Sequence, residues 1–273
     1  MGVRVLDRDL ARLRGFVWFV AGTDPALRYL TAYLVEKSLS VDNIFVFSVI
    51  FSSFAVPEQH RYHVLFYGVI GALVFRFLFL FAGAALLSAV EWVVYVFGAF
   101  LVFTGVRMFF KSEEETDPRD NRAYKLLTRY LPLTEDYKGD NFVVRKDGTL
   151  HATPLLAALV IIEASDIVFA IDSVPAVLSI TTSTFVAYSA MAFAMLGLRA
   201  LYFALEGLTD RFTYLHYGLA AILIFLGVEF ALQGFGIHVP IYASLAFIVV
   251  VVAVSIAVSL RATRGGGEGG EEG

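Results

Sequence analysis

Two stretches of this chain set carboxylates into otherwise apolar sequence: Glu36 and Asp42 in the first, and Glu163, Asp166 and Asp172 in the second. Most of them fall in the middle half of a run long enough to cross a bilayer. A charge at the bilayer centre costs about 2.5–3.5 kcal/mol on insertion scales, so five left unpaired cost over roughly 10 kcal/mol. A bound cation, a proton, an arginine or water must offset that cost. Arg76 and Arg199 are the mid-span cations, which leaves three of the five acids over. Internal ion pairing and protonation are the bland explanations, and the residual negative charge favours a divalent-cation site. The donors are Glu36, Asp42, Asn43, Glu163, Asp166, Asp172 and Ser173, all hard oxygens that suit Mg²⁺, Ca²⁺ or Mn²⁺.

Helical geometry constrains how these groups meet. Residues six apart lie about 120° apart around a helix. Glu36 and Asp42 therefore do not converge on a regular helix, nor do Asp166 and Asp172. Residues seven apart do, which places Asn43 under Glu36 and Ser173 under Asp166. Pro175 cannot donate to the carbonyl of Ile171, so a kink or unwound turn is expected beside Asp172. The five histidines fall in loops or at span ends, where solvated roles are expected, and a zinc or copper site would recruit imidazole or thiolate. Glu91, Arg107 and Glu206 lie near span ends and can snorkel. Glu229 takes the repeat position of Arg107, and a pair between them is possible.

The elements that must hold these groups are membrane spans. The 273 residues are 58% hydrophobic and 17% charged, with a mean hydropathy of +0.73, well beyond a soluble domain. Runs of 18 or more apolar residues read as transmembrane helices. Seven are expected, at about 29–54, 62–87, 91–110, 154–180, 184–208, 213–233 and 237–260. The fold class is all-α, a polytopic helical membrane protein. With no cysteine, these residues offer no thiol chemistry and no disulfide. No secretory signal is evident. A hairpin around Asp147-Gly148 is expected in the polar segment 111–153. Residues 263–273 read as a disordered Gly/Glu tail.

Lys and Arg concentrate on one side: Arg61, Arg211, Arg261, Arg264 and eight between Lys111 and Lys146. That side is expected to be cytoplasmic, with the C-terminus on it. Arg4, Arg8, Arg12 and Arg14 conflict with this, and a further helix upstream would remove the conflict. The segment 1–26 is accordingly read as the remnant of a truncated helix.

Three matches recur in order. Glu36 and Asp42-Asn43 correspond to Asp166 and Asp172-Ser173. Arg76 to Gly83 corresponds to Arg199 to Gly207. Tyr95 and Gly105 correspond to Tyr217 and Gly227. The units are 27–110 and 154–234, each of three helices, joined by the loop 111–153 and followed by a last helix at 235–262. An odd-numbered unit returning to the same side gives inverted topology, a transporter architecture with its site at midplane.

The runs EKSLSVDNIFVF (Glu36 to Phe47), FGAFLVFTGV (Phe97 to Val106), FVVRKDG (Phe142 to Gly148) and EASDIVFAIDSVP (Glu163 to Pro175) resemble the TerC family, named for tellurium resistance. The resemblance extends from about Leu27 to Arg261. It implies a Mn²⁺ exporter of the inner membrane, contributing to metal homeostasis and to tellurite or alkali resistance. The family's essential acids fall on Glu36, Asp42, Glu163, Asp166 and Asp172. Similar members carry two further N-terminal helices, the first with another intramembrane acid. The expected partners are a divalent cation and the bilayer, with no nucleic acid and no tightly bound cofactor; Mn²⁺ is cargo. An intramembrane hydrolase is disfavoured, because neither Gly-x-Gly-Asp nor His-Glu-x-x-His occurs. A non-transporting accessory protein for metal delivery or membrane-protein assembly remains the alternative.

Overall fold

A computed structural model describes residues 23–110, 118–134, 137, 139–146, 148–205 and 215–265, with the backbone alone for Asp42, Leu205, Leu260 and residues 262–265. The expectations for the N-terminal segment, for Glu206 and for the tail beyond Gly265 lie outside these residues. The helices are α1 (Thr23–Ser53), α2 (Glu58–Ala89), α3 (Val93–Phe110), α4 (Arg122–Tyr130), α5 (Pro154–Ile180), α6 (Thr184–Leu196), α7 (Leu198–Leu205), α8 (Leu215–Gly234) and α9 (Ile241–Gly265). Strands β1 (Val143–Lys146) and β2 (Thr149–Ala152) pair antiparallel as the expected hairpin, with Gly148 at φ 79° in its turn.

Six of these are long and apolar enough to cross a membrane: α2, α3, α5, α6 with α7, α8 and α9. The seventh expected span, α1, has 31 residues, about 46 Å of helix. It lacks the apolarity of the others because Glu36, Lys37 and Asp42 sit in its middle. It occupies the interior instead, packed against α5, α6, α8 and α9. A helix that carries charge and is surrounded by helices needs no apolar outer face.

The pattern on α2 shows how the sequence directs one face inward. Leu65, Gly68, Val69, Ala72, Arg76, Leu80 and Gly83 are buried at helical spacing. Phe66, Ile70, Val74, Phe77, Leu78 and Phe81 face outward, an apolar surface suited to lipid. Arg76 thus lies at the centre of the inward stripe.

Helices α3 and α8 make the closest backbone approach. A Cβ on Gly98 would stand 2.7 Å from the carbonyl of Gly227, and one on Gly105 would stand 2.7 Å from that of Ala220. The pairing 98 with 227 and 105 with 220 makes the two helices antiparallel. Small residues permit such contact where helices pack in lipid.

Two expectations are corrected here. Helix α5 runs unbroken from Pro154 to Ile180 with Pro175 inside it, so of the kink or unwound turn expected beside Asp172 the unwound turn is absent. The interruption lies instead in the span expected at 184–208, where Gly197 separates α6 from α7. The Lys37 ammonium points at this break and donates to the Ala194 carbonyl at 3.4 Å.

The polar segment forms a cap over the α1–α2 turn. Tyr137 donates to the Phe54 carbonyl at 2.5 Å, Arg119 donates to the Ser53 carbonyl at 3.1 Å, and Asp140 bonds His60 Nδ1 at 2.5 Å. Burial raises the Tyr137 phenol above its ordinary pKa. His60 is buried and its ring stacks on Tyr137. The sequence predicts a solvated His60, and the cap covers it instead.

Candidate metal centre

The guanidinium of Arg76, 1% exposed, is the hub. It donates to Glu36 Oε1 of α1, to Ser173 Oγ at 2.9 Å, and to Asp166 through Nη2–Oδ1 at 3.1 Å and Nε–Oδ2 at 3.4 Å, both on α5. Its planar fork suits this use, because separate N–H edges serve separate acceptors. Asp166 and Ser173, seven residues apart, serve the same guanidinium as their spacing requires.

Asp172 faces elsewhere, as six-residue spacing dictates. Its Oδ1 accepts from Thr104 of α3 at 3.2 Å, and Arg107 is within electrostatic reach. Glu163 lies one turn before Asp166. Its carboxylate sits over Gly71 of α2, where a Cβ would collide with it, so the glycine makes room for the acid. Asn43 is 1% exposed. Among the described residues, Glu36 Oε2, Glu163 Oε2 and Asn43 Nδ2 are buried without a hydrogen-bond partner. Asp42 lies on α1 between Glu36 and Asn43 in sequence, but its side chain is outside the described atoms.

Among the described residues no three carboxylate or imidazole side chains converge as a metal-ligand cluster. Glu36, Asp166 and Ser173 are brought together through Arg76, whereas Glu163 and Asp172 flank them on other faces of α5. A narrow gap beside Asp166, lined by Phe47, Leu65, Ala72, Ile162, Met195 and Leu198, leaves no room for a water molecule. The acid is therefore sealed on that side.

Two charged residues behave differently from expectation. Arg199 lies over the ring of Tyr62, 4.2 Å from its centroid, and has no carboxylate partner among the described residues. The repeat alone suggested that it balances an acid; α7 directs it to the aromatic face of α2 instead. Glu229 bonds Ser244 of α9 and not Arg107. Sequence reasoning also missed Lys37. The available signal was a cation adjacent to Glu36 within an interior span.

The model of the Integral membrane protein TerC family matches residues 21–266. An uncharacterized membrane protein of Myxococcus xanthus is 43% identical over 248 residues, covering 91% of this chain and 77% of its own. The Alx protein of Salmonella typhi, named as a candidate membrane-bound redox modulator, is 44% identical over 251 residues, covering 89% and 78%. An uncharacterized membrane protein of Rickettsia bellii is 39% identical over 245 residues, covering 90% and 81%. No solved structure matches. With its apolar helices, its EKSLSVDN and EASDIVFAIDSVP runs and a family match over nearly its whole length, this chain belongs to the TerC family of integral membrane proteins.

Proposed function

We propose that the chain exports a divalent cation, Mn²⁺ foremost, through the acids of α1 and α5. The observation that carries this reading is the Arg76 hub. Two carboxylates and a hydroxyl converge on one guanidinium in the protein interior, and the buried Glu36 Oε2 beside it has no partner. A lone guanidinium leaves the pair of acids with net negative charge, which a divalent cation would cancel more fully. In this reading Arg76 holds the acids in the cargo-free state, and Asp42, Asn43, Asp172 and Glu163 extend or complete the oxygen donor set.

The packing of α3 on α8 also supports a transporter. Under the correspondence of Gly105 with Gly227, the contact of Gly98 with Gly227 exchanges with that of Gly105 with Ala220. Antiparallel helices with contacts that exchange in this way are what an inverted repeat requires. The name of the Alx relatives speaks of redox. These residues hold no cysteine, so a redox effect of this chain would run through the metal it moves.

The test is flux. The purified chain in liposomes should move Mn²⁺ down its gradient, read by a metal-quenched dye, with Ca²⁺ and Mg²⁺ as competitors. Absent flux for all three ions would leave the accessory role. The Lys/Arg asymmetry further supports an inner-membrane orientation with segment 111–153 and the C-terminus on the cytoplasmic side. A reporter fused after residue 264 should be active only where its readout is cytoplasmic. Activity on the opposite face would reverse the orientation.

A further inference from the structure

The metal route leaves one deeply buried carboxylate unused. Glu229 of α8 is 6% exposed and lies five residues before the helix end at Gly234, about 8 Å along the axis. That end is opposite the Lys/Arg-rich cap. Ser244 of α9, fully buried, places its hydroxyl 2.9 Å from Oε1 and 2.9 Å from Oε2.

The neighbouring charges are committed to other partners. From α1, Arg28 is within electrostatic reach, yet its guanidinium is held by Asp24 Oδ2 at 2.6 Å and the Ile180 carbonyl at 2.7 Å. From α3, the Tyr95 hydroxyl goes to the Gly234 carbonyl at 2.7 Å. From α5, Asp172 is held by Thr104, and the Ser179 carbonyl takes Gln233 of α8. From α9 comes Ser244 alone. Glu229 therefore has one hydroxyl and no ion pair among the described residues.

A serine hydroxyl carries one hydrogen. Beside an ionised carboxylate, that one hydrogen has to be shared between two equal contacts, and neither is a full hydrogen bond. Beside a carboxylic acid, both can be full bonds: the acid O–H donates to Ser244 Oγ, and the serine donates to the other oxygen. The acid form thus satisfies each short contact and removes the cost of an unpaired buried charge.

We propose that Glu229, capped by Ser244, is a proton-binding site, loaded from the face away from the basic cap, and that its proton is exchanged for the exported cation. Uptake forms one O–H bond to the carboxylate and cancels one negative charge. Release breaks that bond and returns the proton to water. This exchange rests on the export reading; the proton site itself does not.

The full chain in detergent, titrated from acid to alkaline pH, should show by infrared difference spectroscopy a carboxylic C=O band. That band should vanish in Glu229→Gln and shift in Ser244→Ala. In liposomes, an inward proton gradient should speed wild-type Mn²⁺ movement by about fivefold or more. Glu229→Gln should keep flux down the metal gradient and lose that acceleration. A band surviving in Glu229→Gln overturns the proton site, and if that variant fails to fold, a band unmoved in Ser244→Ala does so. Acceleration retained in Glu229→Gln, or drive by a sodium gradient alone, overturns the exchange. No Mn²⁺ flux in the wild type would sink the export reading, and the infrared band would still decide the proton site.

Discussion

Replacing Arg76 by alanine is expected to cost about 3–5 kcal/mol, because it leaves Glu36 and Asp166 as buried carboxylates without a counter-charge. The result should be a sharp drop in monodisperse protein and in the thermal midpoint in detergent. Adding Asp166→Asn or Glu36→Gln should recover much of the loss, because each removes one of the orphaned charges. Arg76→Lys should recover little, since an ammonium cannot serve three acceptors through the edges of a planar fork. Losses that simply add across these combinations would show that Arg76 and the acids do not act as one unit.

The largest effect on transport is expected from Asp42→Asn and Asp172→Asn. Asparagine keeps the shape and removes the charge, so the helices should insert as before or slightly better. Each change removes one unit of attraction for a divalent ion. Losing even 1.4 kcal/mol of ion binding is about tenfold in affinity, and export in vesicles should fall by about that factor or more. Cells carrying either variant should retain Mn²⁺ and grow poorly in excess manganese. Normal export by well-folded variants at both positions would rule these acids out as ligands.

Much of this site was legible in the sequence because helical spacing is rigid. Asp166 and Ser173, at seven residues, meet one guanidinium. Asp166 and Asp172, at six, face α2 and α3 separately. The hairpin followed from Asp147-Gly148. What spacing could not supply was the rotation of each helix against its neighbours. Arg199 occupies the repeat position of Arg76, yet the surface it meets is aromatic, and that depends on tertiary packing. Pro175 signals a break in the sequence, but α5 accommodates it within the helix, while the α6–α7 span parts at Gly197 beside Lys37. Glu229 reads in the sequence only as a partner for Arg107, whose repeat position it takes. The partner it meets, Ser244, comes from α9, which lies outside the repeat that drew attention to the other acids.

The Arg76 hub also bears on the order in which the chain enters the membrane. Chains are made from the N-terminus, so α1 and α2 are available before α5 exists. Inserted alone, α2 would carry an arginine to mid-bilayer at a cost of about 2.5–3.5 kcal/mol. Glu36 on α1, only 40 residues upstream, lets the two helices enter as a hairpin with opposite charges paired. Asp166 lies 90 residues beyond Arg76 and joins when that pair is already in place. The acid that makes the interior negative is thus the last of the three to arrive, and the charge imbalance belongs to the assembled protein rather than to its early insertion intermediate.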